Sequence, residues 1–167
     1  MDMTALAETI GDLLLKHHLT LAVAESCTGG LLSAHITAAP GSSAYFAGGA
    51  VTYSNAAKER ILAVPSALLL RYGAVSAEIA LAMARGVRAL LQVDVSLAIT
   101  GIAGPGGDTP DKPVGLIYVA LSAHDADLCQ RHLWAGDRMQ NRELSARAAL
   151  EMLRDYLLTR QPANAGA

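Results

Sequence analysis

Charge is scarce in this sequence: only 17% of its 167 residues are Asp, Glu, Lys or Arg, the formal net charge is −2, and no dense run of lysine or arginine occurs. The electrostatic footprint of a nucleic-acid binder is therefore missing. Cysteine is scarcer still. Cys27 and Cys129 stand far apart with no CxxC pair, which argues against a disulfide framework or a structural zinc site and fits a reducing cytoplasm. No apolar run approaches the roughly 20 residues that span a bilayer, so no membrane partner is expected. The N-terminal MDMTALAETIGDLLLKHH lacks a basic leader and carries Glu8 and Asp12, unlike a signal peptide. His17, His18, His35, His124 and His132 form no HxH or HExxH pattern, so neither a metal nor another cofactor is expected. His35 follows Ser26 along one helix and cannot easily turn back to it, leaving a Ser-His-Asp triad unsupported.

What the sequence has instead is apolar content, 52% of residues and much of it alanine, which suits helices lying close on a sheet. Length and pattern predict one domain over residues 1–160 and a frayed tail over 161–167. Helical spacing covers 3–16, with strands at 19–24 and 45–53 and a helix at 31–37 between them. Ser54 or Asn55 caps a helix through Leu62, Pro65 starts another, and Ser76 caps a long one to about Leu91. Strands follow at 93–99, 114–121 and 127–134, and Asp137 or a neighbour caps a last helix to about Thr159. Helices interleave with strands early but not late. That order predicts an α/β fold, a single layered domain with a mixed β-sheet flanked by helices.

Four stretches carry chemistry. In Glu25-Ser26-Cys27-Thr28-Gly29-Gly30 a strand ends and a helix starts, where unpaired N–H groups and the helix dipole favour an anion. A serine there gains a pocket for a tetrahedral intermediate. Alternatively Ser26 or Thr28 merely caps the helix, or Cys27, its pKa lowered at the helix start, is the nucleophile. In Tyr53-Ser54-Asn55-Ala56-Ala57-Lys58 the lysine lies in a helix's first turn, in line with Ile61 and Leu62. An apolar stripe and the positive helix end both disfavour its ammonium, so Lys58 could take a serine proton, with Tyr53 as relay or anchor. A solvated Lys58 is the plainer alternative. Thr100 to Gly107 holds four glycines after an apolar strand, a loop whose N–H groups can approach an anion, although it fits neither the P-loop nor the dinucleotide fingerprint. On the last helix Arg142 shares a stripe with Ala146, Ala149, Leu153 and Tyr156, while Arg138 falls at its edge. A buried arginine needs an internal partner or a ligand anion.

The strings AESCTGGLLSAHIT, FAGGAVTYSNAAKERIL, YGAVSAEIALAMARGVR, AITGIAGPGGDTPDKPVGLIYVAL and GDRMQNR, in this order, resemble the CinA C-terminal domain family of nicotinamide-nucleotide amidases. The likeness runs from about Leu6 to Leu158 and looks like the stand-alone form of a domain often fused behind a larger one. Asp108 stands where a small residue would be expected. The resemblance implies hydrolysis of the carboxamide of nicotinamide mononucleotide to nicotinate mononucleotide and ammonia, without metal or cofactor. It implies Ser26, Lys58 and Tyr53 as catalytic residues. Thr100 and Arg142 would contribute to the substrate site, beside Thr28, Gly29, Gly30 and Gly101 from the two glycine turns. A small-molecule nucleotide and further copies of the chain are the partners it implies. A non-catalytic nucleotide-binding module, an amidase for another small amide, and a protein–protein adaptor are the competing readings.

Overall fold

The computed structural model describes residues 1–160; the tail expected at 161–167 lies outside the described residues. Five strands and six α-helices follow in order: α1 Met3–Lys16, β1 Leu21–Glu25, α2 Leu31–Ala38, β2 Phe46–Val51, α3 Asn55–Leu62, α4 Ser66–Tyr72, α5 Ala77–Leu91, β3 Val95–Gly101, β4 Leu116–Ala123, β5 Asp127–Leu133 and α6 Arg138–Thr159. Helix starts follow the capping chemistry. The side chains of Asp2, Ser54 and Ser76 accept from the amides of Ala5, Ala57 and Ile79, and Asp137 forms a full capping box with Gln140.

The strands form one mixed sheet in the order β2-β1-β3-β4-β5. β1 runs parallel to both β2 and β3, whereas β3, β4 and β5 are successively antiparallel. This matches the expected mixed α/β sheet, and the late strands lacking a helix between them are the antiparallel ones. The two ends of β1 differ from expectation. Thr20 donates through both its amide and its hydroxyl to Asp94 Oδ2, which pins the chain before the sheet begins. At the other end Glu25 is still strand, as are Thr100 and Gly101 at the end of β3.

Residue size sorts the two faces. Leu21, Val23, Leu97, Ile99, Val119 and Leu121 pack toward α1, α2 and α6. The alternate positions Ala22, Ala24, Ala98 and Ala120 meet Ile79, Met83 and Val87 of α5. The alanine-rich face lets α5 lie close on the sheet, and the larger face fills the deeper gap to the other helices. The α2 crossover leaves β1 for β2, and the longer crossover through α3–α5 returns past β1 to β3 on the opposite face. A crevice therefore opens where the carboxyl ends of β1 and β3 diverge, the usual ligand position in open α/β sheets. Among the described residues no helix is long and apolar enough to cross a membrane.

Gly86 fixes how α3 meets α5, because a methyl group there would drive into the carbonyl oxygen of Leu62 at the end of α3. Gly86→Ala should therefore lower stability by about 2 kcal/mol, read as a reduced midpoint in urea at unchanged m-value. An unchanged midpoint would show that α3 is not held by this contact.

Candidate active site

Ser26 follows the last residue of the interior strand β1, and its amide donates to the Ile99 carbonyl of β3 (3.0 Å). One strand away, the Thr52 amide donates to the Glu25 carbonyl (2.8 Å), which ties the end of β2 beside Ser26. The chain then turns through the Ser54 cap into α3, and Lys58 points back under this turn. Its Nζ lies 3.1 Å from Ser26 Oγ, 2.8 Å from the Thr52 carbonyl and 3.4 Å from the Tyr53 carbonyl. Lys58 is only 1% exposed and Ser26 8%. Among the described residues no carboxylate forms an ion pair with Lys58. Burial without a counter-charge disfavours the ammonium and lowers its pKa from the ordinary lysine value. The stripe that suggested this was half right: Leu62 is buried with Lys58, but Ile61 is 44% exposed.

A cavity of about 260 Å³ opens over the pair, lined also by Cys27, Tyr53, Thr100, Gly101, Arg138 and the glycine loop 104–107. Thr100 is buried and donates to the Ala74 carbonyl (2.8 Å). The Tyr53 ring is exposed, and its hydroxyl accepts from Arg138 Nη2 (3.0 Å), while Arg138 Nη1 donates to the Gly104 carbonyl (2.7 Å). Arg138 thus links the tyrosine to the glycine loop across the rim. Tyr53 reaches Lys58 only through its backbone oxygen.

Of the residues expected from sequence, Ser26, Lys58, Tyr53, Thr100 and Gly101 come together around this cavity, and Thr28, Gly29, Gly30 and Arg142 do not line it. Arg142 Nη2 donates to the Thr28 carbonyl (2.7 Å), so an internal acceptor occupies it. Arg138, placed by periodicity at the edge of the stripe, is the arginine that faces the cavity. It sits in the first turn of α6, beyond the part of the helix that packs on the sheet. There the buried polar residue is Asn141, which sequence reasoning missed. Its Nδ2 donates to the Ala103 carbonyl (3.1 Å) and its Oδ1 accepts from the Gly136 amide (3.0 Å), tying α6 to the glycine loop. Asp108 is exposed and lies outside the cavity lining.

Two expectations about the Ser26 turn are corrected. The start of α2 is not an open anion pocket, and neither Ser26 nor Thr28 caps it. The fully buried Glu25 carboxylate accepts from the amides of Gly30, Leu32 and Ser33 and from the Ser33 hydroxyl. An ionisable residue closing the apolar run Leu19–Ala24 was the available signal. Cys27 is not an activated thiol either: burial outweighs the nearby positive charges and pushes its pKa up to about 11.

The sequence model described as the CinA C-terminal domain matches residues 3–157. A "CinA-like protein" of Citrifermentans bemidjiense is 51% identical over 160 residues, 96% of this chain and 39% of that relative. Another, of Geobacter sulfurreducens, is 55% identical over 141 residues, 84% of this chain and 34% of the relative. The chain thus spans under two fifths of the length of these curated relatives. A competence-damaged protein (CinA) superfamily structure from Klebsiella pneumoniae superposes with a TM-score of 0.92 at 30% identity, covering 96% of this chain and 100% of that one. The competence/damage inducible protein CihA of Agrobacterium tumefaciens gives 0.91 at 39% identity, covering 95% and 97%.

The depressed Lys58 pKa carries a stability signature. Below ordinary lysine values the unfolded chain binds a proton that the folded chain resists, so folding gains stability as pH rises through that interval. Wild type should therefore gain on Lys58→Met as pH rises toward the ordinary lysine value of about 10.4, measured by urea melts over that approach. Parallel pH profiles for the two proteins would contradict the assignment.

Proposed function

The chain belongs to the CinA C-terminal domain family, and from that premise we propose that it is a metal-independent amidohydrolase acting on the carboxamide of nicotinamide mononucleotide. The observation that carries the reading is the 3.1 Å contact between Ser26 Oγ and the buried Lys58 amine. When the amine is uncharged, the Thr52 and Tyr53 carbonyls take its two N–H groups. Its lone pair is then left for the Ser26 hydroxyl proton. That is the arrangement a serine nucleophile requires of its base.

In the proposed reaction Lys58 removes the Ser26 proton as Oγ attacks the carboxamide carbon, forming a tetrahedral oxyanion. The amide of Cys27, next along the chain and in the cavity wall, has no backbone acceptor among the described residues, and it supplies the candidate oxyanion donor. As the C–N bond breaks, the Lys58 ammonium returns its proton to the leaving nitrogen, which departs as ammonia. Water then attacks the acyl-enzyme with the same amine as base, releasing nicotinate mononucleotide and restoring the Ser26 hydroxyl. The substrate phosphate is assigned to Arg138 at the rim, with the glycine loop beside it, rather than to Arg142, because Arg138 lines the cavity and Arg142 does not. Arg138 then binds substrate and keeps Tyr53 over the cavity.

Ammonia release from nicotinamide mononucleotide, with chelator present, should fall about 10³-fold in kcat for Lys58→Ala while KM changes little. Turnover surviving in Ser26→Ala would sink the mechanism, and hydrolysis of another member of a carboxamide panel alone would change the substrate. Arg138→Ala should raise KM for the mononucleotide about 10-fold or more. Any turnover of the riboside, which lacks the phosphate, should suffer much less, only through the loosened Tyr53. An equal effect on both would remove Arg138 from phosphate binding.

A further inference from the structure

We infer that Glu25 is a positioning residue for the Ser26 nucleophile, an internal anion that holds the serine turn in register with Lys58. The inference rests on the proposed serine–lysine chemistry.

Glu25 grips both sides of Ser26. Its side chain reaches forward over the turn, with Oε2 accepting from the Gly30 amide (3.0 Å) and the Leu32 amide (3.1 Å). Oε1 accepts from the Ser33 amide (2.9 Å) and the Ser33 hydroxyl (2.7 Å). The backbone oxygen of Glu25 faces the other way and accepts from Thr52, the residue whose own carbonyl holds Lys58 Nζ. A closed circuit results: Ser26 hydroxyl, Lys58 amine, Thr52 peptide, Glu25 backbone, and back to Ser26. The carboxylate braces the tight turn from Ser26 to Gly30, which leaves the circuit at Ser26 and is otherwise tied by the Gly29 amide to the Ser26 carbonyl and by Arg142 to the Thr28 carbonyl.

That turn needs a brace. Gly29 and Gly30 both adopt left-handed φ, +59° and +100°, so the backbone there is held by hydrogen bonds and little else. Gly30 as N-cap offers the helix no side-chain acceptor. A carboxylate with four donors at fixed geometry supplies both the missing cap and a rigid stop. It also closes the helix end to any outside anion, so the substrate phosphate is directed to the far rim of the cavity. Without the carboxylate the two halves of the Ser26–Lys58 pair stay folded, since the Thr52 ties remain, but the hydroxyl is no longer fixed on the amine. A displacement on the order of 1 Å at a reacting atom can cost about 100-fold in rate.

The test reads the nucleophile directly with an alkyl fluorophosphonate. Ser26 Oγ forms a bond to phosphorus, fluoride leaves, and Lys58 takes the hydroxyl proton. Labelling at Ser26 is followed by mass spectrometry, well below the melting temperature, as a function of pH. Glu25→Gln should label about 100-fold more slowly with the midpoint of its pH profile unmoved, because Lys58 keeps both carbonyl partners. Ser33→Ala, which removes one bond and keeps the cap, should label about 5-fold more slowly. Folded Glu25→Gln labelling at the wild-type rate, despite a lower melting temperature, would reduce Glu25 to a helix cap and overturn the inference. So would a pH midpoint that moves with the rate, or the absence of labelling in wild type. If Glu25→Gln does not fold, a wild-type rate in Ser33→Ala overturns it equally. Labelling of wild type without ammonia release from the mononucleotide would count against the substrate and leave the role of Glu25 standing.

Discussion

A lysine amine enclosed by protein, with two peptide carbonyls and a serine hydroxyl for neighbours and no carboxylate paired to it among the described residues, has lost most of its hydration without a counter-charge there. Desolvation of this kind drives the group toward its neutral form. A neutral amine keeps a lone pair, and the serine hydroxyl is the group beside it that has a proton to give. The proposed chemistry, the signature in stability against pH and the need for a rigid Ser26 turn all descend from that one buried contact.

The fold brings the pair together from segments 32 residues apart in sequence. Parallel pairing of β1 with β2 and β3 sets their carboxyl ends side by side, so that a residue just past β1 meets the turn after β2. The alanines on the α5 face of the sheet allow close approach of that helix, and Gly86 lets the end of α3 settle on α5 with Lys58 turned inward. Strand order, small residues and helix capping therefore act on one outcome, the position of a single nitrogen atom. The cavity above it is bordered by β3, the glycine loop and the first turn of α6, elements that arrive from the antiparallel half of the sheet and from the last helix.

Local chemistry in the sequence was legible where it was self-contained. Ser54, Ser76 and Asp137 announced their helices, and alternation with interposed helices announced a mixed sheet. The segments carrying Ser26, Lys58 and Thr100 could be singled out because each joins a strand end to a turn or helix start. What periodicity could not settle was direction at the ends of elements. Arg142 lies on the stripe of α6 and Arg138 at its edge, yet the first turn of α6 overhangs the sheet, so the edge residue faces the cavity. The Ser26 turn resembles an open anion site in sequence because unpaired N–H groups and the helix dipole are expected wherever a helix starts. Only the tertiary fold shows Glu25 folded forward onto its own helix. Burial likewise decides the case of Cys27, where position in the turn suggested activation and desolvation reverses it.

The most direct examination of the buried amine is a ¹⁵N NMR titration of Lys58 Nζ in the intact protein, selectively labelled at lysine and assigned with Lys58→Met. The account predicts a midpoint displaced below that of the other lysines of the chain, toward the neutral amine. A Lys58 resonance that keeps the ammonium shift up to the free-lysine range would contradict it.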